Sequence, residues 1–420
     1  MLNIPYGTGA LPFDETGAAV LTSRISELHA EKSGCELVRE AMDAPIGSPR
    51  LRELAKGKRT CTVLISDHTR PVPSRDILPE MLRELREGSP EIEITLLVAT
   101  GCHRAATRAE LEAKLGKALA DREKIVVHDC SDPDSNVQIG VLPSGAPCII
   151  DRLAAQTELL VAEGFIEPHF FAGFSGGRKS VLPGICDRKT VYGNHCGSFI
   201  ASPYCRTGIL DGNPIHADME AAARMARLAF IVNVVIDEQQ RTAAAFAGDC
   251  VMAHRAGCEF LLRYCRVAAG EADIVITSNG GAPLDQNLYQ CVKCMTAAEA
   301  ICRKGGTIIV CAACADGHGG EGFYRTLAAC SSVDALYAEL SAVPQDRTVA
   351  DQWQSQILAR VLKDHRVILV TRPELQKTVE EMKMLYAADL DAALRLAGRT
   401  VGDRVTVIPN GVSVIAAKIG

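Results

Sequence analysis

The chain has 420 residues, of which 47% are hydrophobic and 23% are charged, and it carries a formal net charge of −6 at pH 7. This composition is typical of a folded enzyme with room for two hydrophobic cores, and it excludes a disordered or fibrous chain. The acidic balance and the lack of a polybasic run argue against nucleic acid and acidic membrane surfaces as partners.

Apolar β-branched runs alternate with helical patterns along most of the chain. The predicted strands cover residues 60–66, 92–99, 124–128, 159–162, 229–236, 274–278, 307–310, 366–370 and 404–408. The predicted helices cover residues 74–86, 107–115, 217–228, 250–264, 296–304, 332–340 and 354–363. Ser74 and Thr107 are predicted N-caps, and Thr107 and Glu110 have the spacing of a capping box. This alternation predicts an α/β protein with mainly parallel sheets flanked by helices.

The stretch 268–272 is the predicted boundary between two domains. We expect two Rossmann-like α/β domains, covering residues 1–268 and 269–420, with the active site in the cleft between them. The first residues have neither the basic nor the apolar region of a signal peptide, and no run of about eighteen apolar residues occurs. We therefore expect a cytoplasmic protein without a membrane span.

The seventeen cysteines are scattered and odd in number, which favours reduced thiols over disulfides. Cys291 and Cys294, followed by Cys311 and Cys314, formally match a four-thiolate zinc ribbon. The apolar run before Cys311 instead indicates a buried strand, and the two earlier cysteines open a helical stretch. Small buried thiols are the favoured interpretation, with structural zinc as the alternative.

Polar loops follow three of the predicted strands in the first domain. Asp67 and Arg70 follow the first of these strands, His103 follows the second and His169 follows the third. Ligands of open parallel sheets bind at the carboxyl ends of strands, so we expect these four residues to converge on one crevice. The alternatives are a turn cap for Asp67, a surface charge for Arg70, a loop histidine bonded to backbone for His103 and a satisfied core histidine for His169.

A glycine-rich turn follows His169. Its spacing differs from a Walker A loop because the second glycine falls one position early, which disfavours a nucleoside triphosphatase. Gly176, Gly177 and Ser180 are candidates to hold a single phosphate. Lys179 could contact that phosphate, form a Schiff base or anchor a ligand covalently.

The second domain offers an amide and a cation on one helix face. Gln290 and Lys293 are three residues apart, a spacing that suits binding of a carboxylate, although a solvated helix face is the alternative. His195 is a lone histidine and could be structural. Trp353 is the single tryptophan and could form a wall of the cleft.

Six motifs in order resemble the lactate racemase family. They are Asp67-x-Thr-Arg-Pro, Thr100-Gly-x-His-Arg, Glu167-Pro-His, Gly176-Gly-Arg-Lys-Ser, Asn194-His and Asp285-Gln-Asn-x-Tyr-Gln-x-x-Lys. Each motif is weak alone, whereas six in this order are specific. The resemblance spans residues 67–293 and implies a racemase or epimerase of a 2-hydroxy acid such as lactate.

The resemblance also implies a nickel-pincer nucleotide, a nicotinate-derived mononucleotide that holds nickel. Lys179 would carry it covalently, His195 would bind the nickel, and His103 and His169 would be the acid/base pair. The remaining implied residues line the cofactor or the substrate carboxylate, and they are Asp67, His68, Thr69, Arg70, Gln290 and Lys293. Tyr289 and Trp353 would shape the pocket. The implied partners are the enzymes that build and insert the cofactor, and a homo-oligomer is left open.

Hydride transfer suits this substrate, because the Cα–H of a 2-hydroxy acid is too weakly acidic for an imidazole to remove as a proton. In the implied reaction one histidine takes the hydroxyl proton as hydride leaves. The bound 2-oxo acid then rotates, hydride returns to its other face, and the other histidine supplies a proton. A nicotinamide-dependent dehydrogenase is disfavoured because no Gly-x-Gly-x-x-Gly opens a helix after the first strand. A non-catalytic nucleotide- or zinc-binding protein is the alternative from another class.

Overall fold

A computed structural model describes residues 1–419 and contains two six-stranded sheets. The first sheet has the strand order Thr242–Gly248, Leu228–Ile236, Leu159–Phe165, Thr60–Ser66, Glu93–Ala99 and Lys124–Val127. All neighbours run parallel except the edge strand Thr242–Gly248, which is antiparallel to Leu228–Ile236. Every residue of the central strand Leu159–Phe165 is buried, as expected for a parallel sheet covered on both faces.

The second sheet is parallel throughout. Its strand order is Leu385–Ala387, Arg366–Val370, Cys302–Cys311, Ala272–Ser278, Val405–Ile408 and Ala18–Val20. The last of these strands comes from the beginning of the chain, so residues 18–20 extend the sheet of the predicted second domain. The two mainly parallel sheets confirm the predicted α/β class.

Helices flank both sheets, and short strand pairs form separate small sheets. The helices are Gly34–Asp43, Leu51–Ala55, Ser74–Gly88, Arg108–Leu115, Lys117–Arg122, Arg152–Gln156, Arg188–Asn194, Gly197–Ala201, Pro214–Met225, Met252–Cys265, Leu288–Glu299, Glu321–Ala329, Val333–Ala342, Gln352–Asp364, Gln376–Glu381 and Leu390–Ala397. The short pairs are Leu2–Tyr6 with Gly9–Phe13, Asn136–Val141 with Pro147–Asp151, Pro168–His169 with Gly173–Phe174, and Arg266–Ala269 with Ile415–Lys418. Among residues 1–419, no helix has the length and apolar character needed to cross a bilayer.

Two local predictions were wrong. The helix predicted at 296–304 lies at Leu288–Glu299, because Asn287 caps its start and Cys302 pairs with Ala272 in the sheet. Ser74 is not an N-cap but the first residue of its helix, and its hydroxyl donates to the Glu163 carboxylate at 2.7 Å. The capping box of Thr107 is confirmed.

The two halves of the chain contact each other near the helices Arg188–Asn194 and Gly197–Ala201. Gln345 Nε2 donates to the carbonyl of Gly193 at 3.0 Å, and Gln356 Nε2 donates to that of Gly197 at 2.8 Å. These bonds hold the helix Gln352–Asp364 against the segment that carries His195. The division between residues 268 and 269 stays a prediction, and it falls inside the strand Arg266–Ala269.

Candidate functional site

Three loops meet at the carboxyl end of the first sheet. Ser66 pairs in register with Ala99, so the loops that follow these two strands start side by side. The strand Leu159–Phe165 lies on the other side of Thr60–Ser66 and leads to His169. The parallel topology thus places the predicted residues at one edge of the sheet, as the sequence indicated.

Asp67 and His103 form a hydrogen-bonded pair. The Oδ2 atom of Asp67 lies 2.7 Å from Nδ1 of His103, and its Oδ1 accepts from the amide and hydroxyl of Thr69 at 3.1 and 2.7 Å. Burial alone would raise the pKa of Asp67, but the bonds from His103 and Thr69 bring this pKa below its ordinary value. The ionised carboxylate therefore accepts a hydrogen bond from Nδ1–H of His103, and the other ring nitrogen, Nε2, is left as the proton acceptor.

His169 lies deeper and in a different environment. Its ring stacks on Phe170 and meets Phe171 edge-on, with 4.5 Å between the ring centres of His169 and Phe171. Burial and the charges of Lys179, Lys293 and Arg70 hold the pKa of His169 well below its ordinary value. The imidazole is therefore neutral near pH 7, and because Nδ1 accepts from the amide of Ala172 at 3.2 Å, the proton is on Nε2.

The two histidines do not contact each other among the interactions described for residues 1–419. His103 is exposed on the rim, whereas His169 is half-buried beside Lys179. The charge of Arg70 lowers the pKa of both Asp67 and His169, so Arg70 influences both positions.

His195 is buried, and aromatic rings surround it. Its ring centre lies 5.1 Å from that of Phe171 and 5.1 Å from that of Trp353. Burial and the charge of Lys179 lower the pKa of His195 to about 3, so the ring is neutral. The carbonyl of Val191 faces this ring, yet Nδ1 forms no hydrogen bond of normal geometry.

Cations from both halves of the chain surround one carboxylate. Burial raises the pKa of Glu167. This rise is opposed by the positive charges of Lys293, Arg70 and Lys179. Burial lowers the pKa of Lys293, and Glu167 partly offsets this effect. Lys293 belongs to the helix Leu288–Glu299, so this charge cluster spans the predicted interdomain cleft.

The glycine-rich turn is built for close packing. The amide of Gly177 donates to Asn233 Oδ1 at 2.7 Å, and a Cβ on Gly177 would come within 2.7 Å of the His254 ring. Gly177 also has a positive φ of 54°, which favours glycine. The Gly177 amide is thus already used, and the single-phosphate site suggested for this turn lacks one of its expected donors.

Three other predicted residues form local contacts. Nε2 of His68 lies 3.6 Å from the carboxylate of Glu110, at the start of a neighbouring helix. The backbone amide of Gln290 donates to the capping Asn287, and the hydroxyl of Tyr289 donates to Asp351 at 2.9 Å. Cofactor binding by His68, Thr69 and Gln290 stays a prediction.

The four cysteines of the possible zinc ribbon are buried thiols. Cys291 and Cys314 have a sulfur–sulfur distance of 3.9 Å, and the thiol of Cys294 donates to the carbonyl of Cys291 at 3.1 Å. Burial raises the pKa of Cys311 to about 12. Within residues 1–419, no three His, Cys, Asp or Glu side chains are arranged to hold a metal ion together.

Sequence reasoning missed the residues that support the site from inside. Arg178 is buried and bonds to His216, and Glu163 is a buried carboxyl group within the central strand Leu159–Phe165. For the contacts of Arg178, the available signal in the sequence was the motif Gly-Gly-Arg-Lys-Ser together with histidines on two amphipathic helices. A cavity of about 290 Å³ between residues 206–209 and 296–300 contains none of the predicted site residues.

The fold and the site define an α/β enzyme that combines neutral imidazoles with cations suited to an anionic substrate. Residues 6–208 match the lactate racemase N-terminal domain, and residues 267–416 match the lactate racemase C-terminal domain. The lactate racemase of Thermoanaerobacterium thermosaccharolyticum is 49% identical over 422 residues, and that of Lactiplantibacillus plantarum is 50% identical over 419 residues. Each alignment covers 99% of both chains. The chain belongs to the lactate racemase family and is an isomerase of the racemase class.

Two solved structures share the fold of this chain. The lactate racemase apoprotein from Thermoanaerobacterium thermosaccharolyticum superposes with a TM-score of 0.95 over 99% of each chain. A protein from Thermotoga maritima shares the fold, with 18% identity and a TM-score of 0.67 over 93% of this chain and 100% of that one.

Proposed function

We propose that this chain interconverts the two enantiomers of lactate. The observation that carries the proposal is the pairing of an Asp67-bound imidazole on the rim with a neutral imidazole, His169, among cations inside. Both full-length relatives at about half identity are lactate racemases, which supports the same substrate class.

The residues present fit a nickel-pincer nucleotide. His195 is a neutral imidazole with a buried nitrogen that lacks a hydrogen-bond partner, the state in which histidine binds a metal ion. Lys179 is half-buried, and burial lowers its pKa well below the ordinary value, so an uncharged amine is available for a covalent link. When bound, the cofactor supplies an electrophilic carbon that can accept a hydride and return it.

The chain's own residues orient the substrate and move its hydroxyl proton. Arg70 and Lys293 bind the carboxylate of lactate, one from each half of the chain. Nε2 of His103 accepts the hydroxyl proton of one enantiomer, because Asp67 occupies Nδ1 and stabilises the imidazolium. His169 can accept a proton at Nε2 only after its bond to the Ala172 amide breaks and its tautomer changes. The rings of Phe170 and Phe171 exclude water from that side.

A chiral assay of the matured enzyme tests the proposal. Pure L-lactate and pure D-lactate should each give a racemic mixture, whereas His103→Asn and His169→Asn should each lose at least about 100-fold in rate. The matched control is His29→Asn, because His29 is exposed and lies outside the site. Full activity in either site variant would remove that histidine from the mechanism. If nickel-loaded protein does not convert lactate, lactate is not the substrate.

Cofactor supply is the second part of the proposal. The protein would receive the nucleotide from separate biosynthetic enzymes, and its seventeen unpaired cysteines favour a reducing compartment, which we propose is the cytoplasm. Intact mass should show an adduct that maps to Lys179 only when the protein is made together with those enzymes. An adduct on another residue would contradict the assignment.

A further inference from the structure

Arg178 lies inside the glycine-rich turn, and only 1% of its surface is exposed. Its Nη2 donates to the carbonyl of Ala172 at 2.8 Å, and its Nη1 donates to those of Phe174 and Gly176 at 2.9 and 3.2 Å. A guanidinium presents its N–H donors in one rigid plane. Residues 172–176 are therefore folded around a single side chain.

Histidines on two helices also contact this guanidinium. The Nε of Arg178 donates to Nδ1 of His216 at 2.9 Å, and Nε2 of His216 lies 3.0 Å from the carboxylate of Glu220. Nε2 of His254 lies 2.8 Å from the carbonyl of Ser175 and 3.0 Å from Nη1 of Arg178. Neither His216 nor His254 is among the residues proposed to bind the substrate.

Lys179 follows Arg178 in the 3₁₀ turn Gly177–Ser180, but its side chain leaves toward the site. Its Nζ lies 5.9 Å from the centre of the Phe171 ring, which also contacts His169 and His195. Burial, followed by the charges of Arg178 and Arg70, lowers the pKa of Lys179 well below its ordinary value. The neighbouring arginine thus faces the interior while the lysine faces the site.

We infer that Arg178 is a positioning residue that binds the carbonyls of the turn and holds the Lys179 amine at the Phe171 ring, ready to react with an activated acyl group. In that reaction the amine nitrogen bonds to the acyl carbon, the bond to the leaving group breaks, and the amine proton passes to water. The inference deepens the proposed function, because Lys179 is the proposed anchor. It concerns the ligand-free chain and can be tested on it.

Acetic anhydride is a suitable probe, since it transfers an acetyl group and releases acetate. The full-length, ligand-free chain is treated at pH 7, and peptide mass spectrometry gives the acetylation rate of Lys179 relative to Lys377, whose side chain is 86% exposed. We expect Lys179 to react at least about tenfold faster than Lys377, since each unit of lowered pKa gives tenfold more free amine.

Two nearly isosteric variants separate positioning from general packing. His216→Leu removes the acceptor of the Arg178 Nε, whereas His216→Asn keeps an acceptor close to the position of Nδ1. We expect the Lys179 to Lys377 ratio to fall at least about fivefold in His216→Leu and to stay within about twofold of wild type in His216→Asn. Arg178→Lys keeps the positive charge but loses the planar set of N–H donors, so it should behave like His216→Leu. It replaces His216→Leu in the test if that variant does not fold.

Circular dichroism establishes which variants are folded. An unchanged ratio in folded His216→Leu or Arg178→Lys would overturn the inference, as would a wild-type ratio near one. The chiral assay of matured wild type is independent of this result. If lactate is not racemised but the acetylation ratios behave as expected, the proposed function fails and the positioning role of Arg178 stands.

Discussion

At the scale of single residues, Asp67 makes the two proposed acid/base histidines different from each other. His103 donates through Nδ1 to a buried carboxylate, whereas His169 accepts through Nδ1 from a backbone amide. The first ring is prepared to accept a proton at Nε2, and the second already carries one there. The two directions of racemisation therefore start from rings in different states, and a proton must be redistributed between turnovers.

Asp67→Asn should reduce racemisation by at least about 100-fold while the protein stays folded, because an amide cannot stabilise the imidazolium of His103 and can hold the wrong tautomer. The rate should be measured from pH 5 to 9 with both enantiomers as substrates. Asp14→Asn, which changes an exposed carboxylate, is the control. A pH profile and rate equal to those of wild type would show that the Asp67–His103 bond is irrelevant to turnover.

Buried neutral histidines should make the fold sensitive to acid. Burial and the charge of Arg178 hold the pKa of His254 well below its ordinary value of 6.5. Above pH 6.5 both folded and unfolded states leave this ring neutral, so it has no effect on stability. Below pH 6.5 only the unfolded state binds the proton, and the free energy of unfolding falls by up to about 1.4 kcal/mol per pH unit for each such ring.

Urea unfolding at pH 7 and pH 5 measures this effect. The loss of stability between the two pH values should be smaller in His254→Gln than in wild type by about one proton's contribution, roughly 1–2 kcal/mol. The relevant quantity is the change in the free energy of unfolding with pH, not its absolute value, since the substitution also changes packing against Gly177. His29→Gln should keep the wild-type slope, and an unchanged slope in His254→Gln would mean that this ring is not buried as a neutral group.

At the scale of secondary structure elements, Ser74 and Thr107 show that hydroxyl groups at the start of a helix can have different partners. The hydroxyl of Thr107 accepts from the amide of Glu110 as an N-cap, while the hydroxyl of Ser74 satisfies one oxygen of the buried Glu163 carboxyl. The other oxygen of Glu163 has no partner. Thr107→Ala should lower the free energy of unfolding by about 1 kcal/mol, through the cap alone.

Ser74→Ala should cost more, about 1–3 kcal/mol, because it leaves both oxygens of the buried Glu163 carboxyl without hydrogen bonds. Urea unfolding of both variants at pH 7 makes the comparison. The double substitution Ser74→Ala with Glu163→Leu should recover part of the loss, since both polar groups are then removed. If Ser74→Ala costs no more than Thr107→Ala, the bond to Glu163 contributes little.

The same elements show how far sequence patterns reach. Apolar runs located the central strands well, because a strand buried on both faces has to be apolar along its length. The position of polar loops after these strands also predicted that Asp67 and His103 would lie at one crevice. Patterns could not predict which way adjacent polar residues point: Arg178 faces the interior and Lys179 the site. One partner of Arg178 in the interior is His216, which is distant in sequence. The same is true of residues 302–304, where pairing with Ala272 outweighed a helical pattern.

At the scale of the whole molecule, the proposed site draws residues from both halves of the chain. Arg70, Lys179 and His195 lie in loops and turns of the first half of the chain, while Lys293 and Trp353 lie in helices of the second half. Gln356, which is fully buried, bridges to the carbonyl of Gly197 next to the His195 segment. Because His103 is exposed on the rim, catalysis shielded from water requires the two halves to stay in contact or close further.

Gln356→Ala should loosen this contact and open the site to solvent. The single tryptophan, Trp353, packs on His195 and reports the change directly, so acrylamide quenching of its fluorescence should increase by about twofold as local opening becomes more frequent. Racemisation by the matured enzyme should fall in parallel. Gln376→Ala is the matched control, because Gln376 bonds only to Glu380 on an exposed helix. Quenching and activity that match wild type in Gln356→Ala would show that this bridge does not hold the two halves together, and that the Trp353–His195 contact is maintained by the surrounding apolar packing alone.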